Sequence, residues 1–450
     1  MNSADVLIVG GGISGCAAAI ALRKKGIENV IVLERTKNAL IGLGETIPGA
    51  VRSLLANWGL SHLTDGHSRS SGSMSAWGSA SFETRDAFAE AAGAGWHLDR
   101  LRFESDLKKA AISAGVTFYS VAPAQRVTYK EKQDDWYVSI HGTNESISLS
   151  SRIIVDATGT TAGFARQQGS HRVKCDELVA VAVWFNDTAI SQSRAFTLLE
   201  TMPYGWWYTS ALPGNKRVCI LFSDADILRE SELLTKGNWF KALAQTDVIK
   251  ELCIEENMTG TLVKRSAASG FMWPAAGDKW LATGDALYSV DPLSSSGIYN
   301  ALQTADDAAE TIIQMLQGNK EAAMQYGQKH RKRFEQYMAK RFDYYRLEKR
   351  WPESSFWRRR YGHITLPPSA IISAPQPGGN KTVGGYLSMQ ETAYLYSLCT
   401  QPATAGDVIR MFMKKYNDVS ERLVILTLQE LLAKAKPEDA DIKTYAKTLL

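Results

Sequence analysis

The sequence predicts an α/β protein: a Rossmann-like dinucleotide-binding domain, an antiparallel β-sheet substrate domain and a helical C-terminal domain. Three observations carry that expectation. The chain begins with an apolar run at 6–9, a glycine turn, a small-residue helix, and a second apolar run at 30–33 that ends on Glu34. Two later apolar runs, at 153–155 and 280–282, each break into a turn containing Asp and Gly. Between them, residues 179–222 alternate in polarity and are rich in aromatics.

The first unit is strand, glycine turn, helix, strand. Gly10, Gly12 and Gly15 form a G-x-G-x-x-G turn around Ile13 and Ser14. Glycines there let the backbone turn tightly, approach a pyrophosphate and pack the helix close on the sheet. Free N–H groups and the helix dipole then face the phosphates. Glu34 falls roughly 20 residues beyond the glycines, where an acid accepts hydrogen bonds from an adenosine ribose; Arg35 beside it is counted among the cofactor contacts. No basic stretch precedes residue 6 and glycines interrupt the apolar run, so no secretory signal is expected.

Beyond Glu34, residues 41–48 include Gly42, Gly44, Glu45, Thr46 and Pro48, a rigid loop expected near the cofactor, followed by a helix over 49–58. Residues 68–81, rich in Ser and Gly around Trp77, read as strand edges lining a pocket or as a surface loop. His97 and Arg100 precede a helix over 103–114, with Gly115 as its cap, then a strand over 116–119. Segments 126–129 and 136–140 form a meander, and the run ending at Asp156 returns the chain to the core sheet. Strands are expected at 179–185, 196–199, 206–210 and 218–222, with one helix over 239–256 behind them. The chain comes back through the strand ending at Gly284 and Asp285. Asp291, Pro292 and Gly297 follow, and then a helix from Ile298 to about residue 316. The domains expected are 1–178 with 270–340 for the cofactor, 179–269 for substrate, a helical and linker region at 341–385, and a small helical, winged-helix-like unit at 386–450.

Composition narrows the class. The 450 residues carry a formal net charge of only +4, which gives no global argument for nucleic acid. Five scattered cysteines make neither a metal spacing nor a disulfide framework, which fits a reducing cytoplasm. No apolar run approaches the roughly 18 residues that a membrane helix needs. His97 and His67 have a pKa suited to relaying protons, but a hydrogen-bonded structural role is the simpler reading of each.

A first-strand G-x-G-x-x-G with a ribose acid, an Asp-Ala-Thr-Gly after a middle strand, and a Gly-Asp followed by Asp-Pro and a glycine opening a helix together resemble the FAD-binding fold of flavoprotein monooxygenases, the para-hydroxybenzoate hydroxylase type. The resemblance covers roughly 4–340. It implies that Asp285 binds the ribityl or pyrophosphate region and that the turn from Pro292 to Gly297 lies against the isoalloxazine. The following helix N-terminus would favour negative charge on the reduced flavin. Arg100 matches a position that contacts the cofactor, and Asp156 is expected to hold its own loop.

Residues 42–48 and Gly205-Trp206-Trp207-Tyr208 resemble the tryptophan-halogenase branch. That chemistry needs a lysine shortly after the first motif, and none lies between Lys37 and Lys108. The implied alternative is oxygen insertion by a flavin C4a-hydroperoxide, with O2 as oxidant and NAD(P)H or a separate reductase as electron donor. Trp207 and Tyr208, with His97, are the candidate substrate-site residues; no metal site is expected.

The basic, aromatic stretch 330–361 reads either as a docking surface for an acidic protein or as a helix packed on the cofactor domain. Residues 386–434 resemble the winged-helix peptide chaperones of peptide-modifying pathways. Combined, these features resemble flavoproteins that hydroxylate a tryptophan inside another protein during tryptophylquinone biogenesis, which implies a quinoprotein precursor as partner. A small-molecule indole or phenol monooxygenase or halogenase, and a non-catalytic flavin-binding maturation chaperone, are the rival readings.

Overall fold

A computed structural model describes residues 2–35, 45–86, 93–122, 126–132, 135–141, 146–187, 195–362, 366, 368–372 and 385–434. Its central sheet runs Thr117–Val121, Val30–Arg35, Asn2–Val9, Ser146–Asp156 and Trp280–Ala282, all parallel, with Ala276–Gly277 antiparallel at the edge. The runs are continuously apolar because both faces are covered; Val6, Leu7, Ile8 and Val32 are wholly buried. Helices Ile13–Lys24 and Gly297–Leu316 pack together against this core. The expected meander, Arg126–Lys132 and Asp135–His141, extends antiparallel from Ser146–Asp156.

The second sheet has seven strands in the order Met258–Ser266, Leu178–Asn186, Lys216–Asp224, Gly205–Leu212, Phe196–Met202, Gly72–Ala76 and Glu83–Asp86. Gly72–Ala76 comes from the Ser/Gly-rich stretch and pairs parallel with Phe196–Met202, and Glu83–Asp86 pairs with it from just beyond that stretch. That sheet is therefore assembled from distant parts of the chain, and it is not purely antiparallel. The single helix expected over 239–256 is two, Lys236–Leu243 and Ile249–Leu252. The break has a cause: the buried Glu200 carboxylate accepts the N–H groups of Asp247, Val248 and Ile249 at 2.7, 2.8 and 3.0 Å, and a carboxylate there starts a new helix.

Alternation sends neighbouring residues of one strand to opposite cores. Trp207 packs with Trp239, Val181 and Leu221 under the helices, whereas Trp206 and Tyr208 join Phe222, Tyr345, Phe356 and Trp357 on the other face. Helix Ala322–Tyr345 and the short helix Ser355–Arg358 cover that aromatic face. The basic stretch is thus a packed element. Arg360 pairs with Asp224, Arg341 with Asp291 and Arg331 with Glu391, all buried, and Arg341 also pairs with the half-buried Asp176.

The last described unit joins helices Met389–Leu398, Ala405–Lys415 and Glu421–Lys434 to the paired two-residue strands Ile371–Ile372 and Ala403–Thr404. Leu395, Val408, Phe412, Val424 and Leu428 form its core. Ser388 and Glu391 make a reciprocal capping box on the first helix, and the same Glu391 carboxylate accepts both guanidinium nitrogens of Arg331, at 2.5 and 3.0 Å.

Candidate functional site

Three sequence motifs converge at the carboxyl ends of the parallel strands, where Val9 lies opposite both Leu33 and Asp156, and Asp156 opposite Ala282. The first strand has a parallel neighbour on each side at this point, which is where open α/β sheets bind ligands. A Cβ on Gly10, at φ +114°, would lie 2.3 Å from the Ala157 carbonyl, and one on Gly15 would lie 1.8 Å from the Gly10 carbonyl. At Gly12 a Cβ would meet nothing within 4 Å. Two glycines are therefore demanded by packing, and the middle one leaves open space for a ligand. Gly12 caps helix Ile13–Lys24 with no side-chain bond, so the first-turn N–H groups are available to an anion. Ser14, the helix's second residue, donates to Thr283 at 3.2 Å. Asp156 accepts from the Thr158 N–H and hydroxyl and from the Ala165 N–H at 2.9, 2.6 and 2.8 Å, so it holds its own loop.

Around that opening stand the other predicted cofactor residues. Glu34 ends its strand half-buried and pairs with Lys108 of helix Arg100–Ser113, a partner the sequence did not reveal. Arg35, next along, is exposed. Arg100 begins the same helix and donates to Glu104 at 2.5 Å. Asp285 is exposed to the opening, while its carbonyl accepts from Arg172 at 2.9 Å. Pro292 opens a short turn that ends at Ser295, φ +46°. Gly297 then starts the twenty-residue helix exposed, with Ile298 buried behind it. Gly44 lies outside the described residues.

A second constellation sits where three short segments meet. Strand Thr46–Ile47 pairs with Gly95–His97, placing Thr46 opposite His97. The Thr46 hydroxyl lies 2.6 Å from the Tyr208 hydroxyl and 3.3 Å from that of Thr197. His97 Nε2 lies 3.3 Å from Thr197 Oγ1, and Tyr208 donates to Ser210 at 3.2 Å. Burial pushes the wholly buried His97 down to about 4, so the ring is neutral at pH 7. Burial, with the charge of the buried Glu45, pushes Tyr208 up to about 12. The result is a chain of neutral hydroxyls and one neutral imidazole, suited to orienting a donor N–H or O–H.

Of the candidate substrate-site residues, His97 and Tyr208 are brought together here. Trp207 is not: it is fully buried beneath Trp239, with ring centroids 4.9 Å apart. His67 is spoken for as well, its Nδ1 accepting the Asp99 N–H at 3.1 Å. Thr197 and Ser210 were missed; alternation from Tyr208 marks Ser210 as facing the same way, but nothing local points to Thr197.

An anion-ready glycine turn, an acid at the second strand's end and open space between them define a dinucleotide-binding α/β protein whose residues fit FAD. The chain belongs to the FAD binding domain family, whose model matches residues 3–341, and it is an FAD-dependent oxidoreductase. It is 29% identical over 374 residues to LodB of Marinomonas mediterranea, a protein assigned as an FAD-dependent oxidoreductase, covering 81% of this chain and 99% of that one. The fold is similar to that of CmlS, a flavin-dependent halogenase, with TM-score 0.70 and 24% identity over 80% of this chain and 68% of that one. It is similar also to QhpG, a peptidyl tryptophan dihydroxylase essential for tryptophylquinone cofactor biogenesis, with TM-score 0.66 and 21% identity over 84% and 85%. Among the described residues no helix is long and apolar enough to cross a membrane, and no cluster of His, Cys, Asp and Glu is arranged for a metal ion.

Proposed function

We propose that the protein is a flavin-dependent monooxygenase that hydroxylates the indole of a tryptophan within a partner protein, a quinoprotein precursor, during tryptophylquinone biogenesis. The observation that carries this reading is the neutrality of the polar network. Thr46, Thr197, Tyr208, Ser210 and the uncharged His97 offer no ammonium group to hold a hypohalous acid, and no lysine occurs between 37 and 108. An electron-rich indole needs orientation and exclusion of water more than a strong base.

FAD, reduced by NAD(P)H or by a separate reductase, supplies the redox chemistry and the activation of O2. The chain's own residues bind and orient: the N–H groups after Gly12 hold the pyrophosphate, Glu34 the adenosine ribose, and Asp285 with Arg100 the middle of the cofactor. The turn from Pro292 to Gly297 would hold the ring system. The Tyr208–Thr46 pair then takes the indole N–H. Two oxygen atoms must be added for a quinone, so the partner stays bound or returns. The terminal helical unit, resembling peptide-binding winged helices, recognises the partner, and the similarity to QhpG supports a protein substrate.

Flavin-dependent halogenases among the similar proteins favour a second reading, halogenation or oxygenation of a small indole or phenol. One experiment separates the two. The purified protein is given FAD, a reductant, O2, bromide and a panel of free indoles, and product mass is compared with peroxide release. Peroxide release with every free indole untouched is the expected result. Oxygen or bromine gained by a free indole at a rate matching flavin reoxidation would replace this reading with the second.

A further inference from the structure

Helix Ala322–Tyr345 carries Tyr337, Arg341 and Tyr345 at four-residue spacing, one stripe of its surface. All three close on Asp291, the 1%-exposed residue just before Pro292. The Asp291 N–H donates to the Tyr337 hydroxyl at 2.5 Å. Its Oδ2 accepts from Arg341 Nε at 3.0 Å and from the Tyr345 hydroxyl at 2.8 Å, and its Oδ1 accepts the Leu293 N–H at 3.0 Å. The carbonyl accepts from the Ser294 hydroxyl at 3.0 Å. This residue cannot move without leaving a charge or a donor buried and unpaired, so the turn it opens is held stiffly.

The same stripe reaches the rest of the molecule at two points. Arg341 lies 3.0 Å from Asp176 Oδ2. Asp176 in turn accepts the N–H groups of Leu178 and Ser269 at 3.0 and 3.3 Å, and the Cys175 N–H donates to the Ser269 carbonyl at 2.9 Å. These are two of the places where the chain enters or leaves the seven-stranded sheet. Tyr345, at the other end of the stripe, accepts the indole N–H of Trp206 at 3.1 Å. Its ring is fixed among Trp77 and Trp357, with centroids 5.5 and 5.8 Å away.

We infer that Tyr337, Arg341 and Tyr345 are positioning residues that fix the Asp291–Pro292 turn against the flavin and couple its position to Trp206 on the aromatic face. The inference rests on the proposed placement of that turn beside the isoalloxazine. A stiff turn delivers the N-terminus of helix Gly297–Leu316, whose partial positive charge favours the anionic reduced flavin over the neutral oxidised one. Loosening the grip therefore weakens binding of reduced FAD more than of oxidised FAD, which lowers the midpoint potential.

The test is Tyr345→Phe, which keeps the packed ring and deletes the hydroxyl shared by Trp206 and Asp291. Midpoint potential, oxidised-FAD affinity and apoprotein melting temperature are measured together. Reduced FAD should lose about tenfold more affinity than oxidised FAD, a fall of about 30 mV for a two-electron couple. Trp206→Phe should shift the potential the same way by less, and Tyr344→Phe, whose hydroxyl instead accepts from Arg85 at 2.7 Å, should leave it unchanged. A potential that stays put or rises in Tyr345→Phe overturns the inference, even if the melting temperature drops. If that variant does not fold, an unmoved potential in Trp206→Phe overturns it. Wild-type protein that bound no FAD would sink the cofactor reading itself, a separately visible failure.

Discussion

The cofactor crevice and the aromatic face beside it are built by opposite means. The crevice is shaped by missing side chains: Gly10 and Gly15 let backbone meet backbone, and Gly12 keeps a space clear. The aromatic face is shaped by large side chains drawn from far apart, Trp77, Trp206, Tyr345 and Trp357, meeting edge to face at 5.3 to 6.1 Å. In the first region a single methyl decides everything. In the second, stability is spread over many contacts, and the sharp dependencies lie with its buried ions.

The strongest way to break this contrast is at the glycines. Gly15→Ala forces a carbon to within 1.8 Å of the Gly10 carbonyl, so the first strand and its helix must separate. Overpacking on this scale costs about 1–3 kcal/mol or more, and FAD binding should vanish in a fluorescence titration. Gly12→Ala, with nothing within 4 Å of the new methyl, should keep the wild-type melting temperature and lose FAD affinity alone. Equal behaviour of the two variants would show that the turn is shaped by something other than close approach.

The aromatic side is sharpened by removing an ion. Asp224 is 1% exposed and holds the equally buried Arg360, whose guanidinium also lies over Phe356 at 3.7 Å. The two charges keep each other's ionised forms stable: Asp224 is held below the usual carboxylate range by Arg360 and Arg359 against the cost of burial. Asp224→Ala strands Arg360, and urea unfolding should lose about 3–5 kcal/mol. Trp207→Phe, on the opposite core, should cost about 1–2 kcal/mol and leave FAD affinity untouched. A change in flavin binding there would contradict the separation of the two faces.

The same contrast explains what could be read from residues alone. Crevice motifs are local in sequence, so the glycine turn and Glu34 could be proposed from spacing and context, and Asp285 and the Pro292 turn from the family resemblance that those motifs carry. The family match over 3–341 bears out the fold they predicted. The aromatic face depends on pairings at long range. Nothing near residues 72–76 says that they lie beside Phe196–Met202, and nothing near Arg341 says that Asp291 needs it. Even so, one unused signal was present. Alternation along Gly205–Leu212 puts Trp207 and Tyr208 on different faces, so both could not serve one pocket.

A pH dependence tests whether the neutral network belongs to the folded state. His97 titrates near its ordinary 6.5 when unfolded and is pushed down to about 4 in the fold, by burial first, although the accepting Ala211 carbonyl opposes this. Between those values the unfolded chain binds the extra proton, so stability rises with pH across that window and is lost as pH falls through it. His330, pushed down to about 3 by burial, adds to the same trend. At 1.36 kcal/mol per unit, His97 contributes at most about 3 kcal/mol of this dependence. Urea titrations of wild type and His97→Gln from pH 7 to pH 4.5 should therefore converge as pH falls, because the variant has no imidazole to protonate. Parallel curves would mean that water reaches His97 in the folded protein, and the water-excluding network proposed to orient the indole would then lose its physical basis.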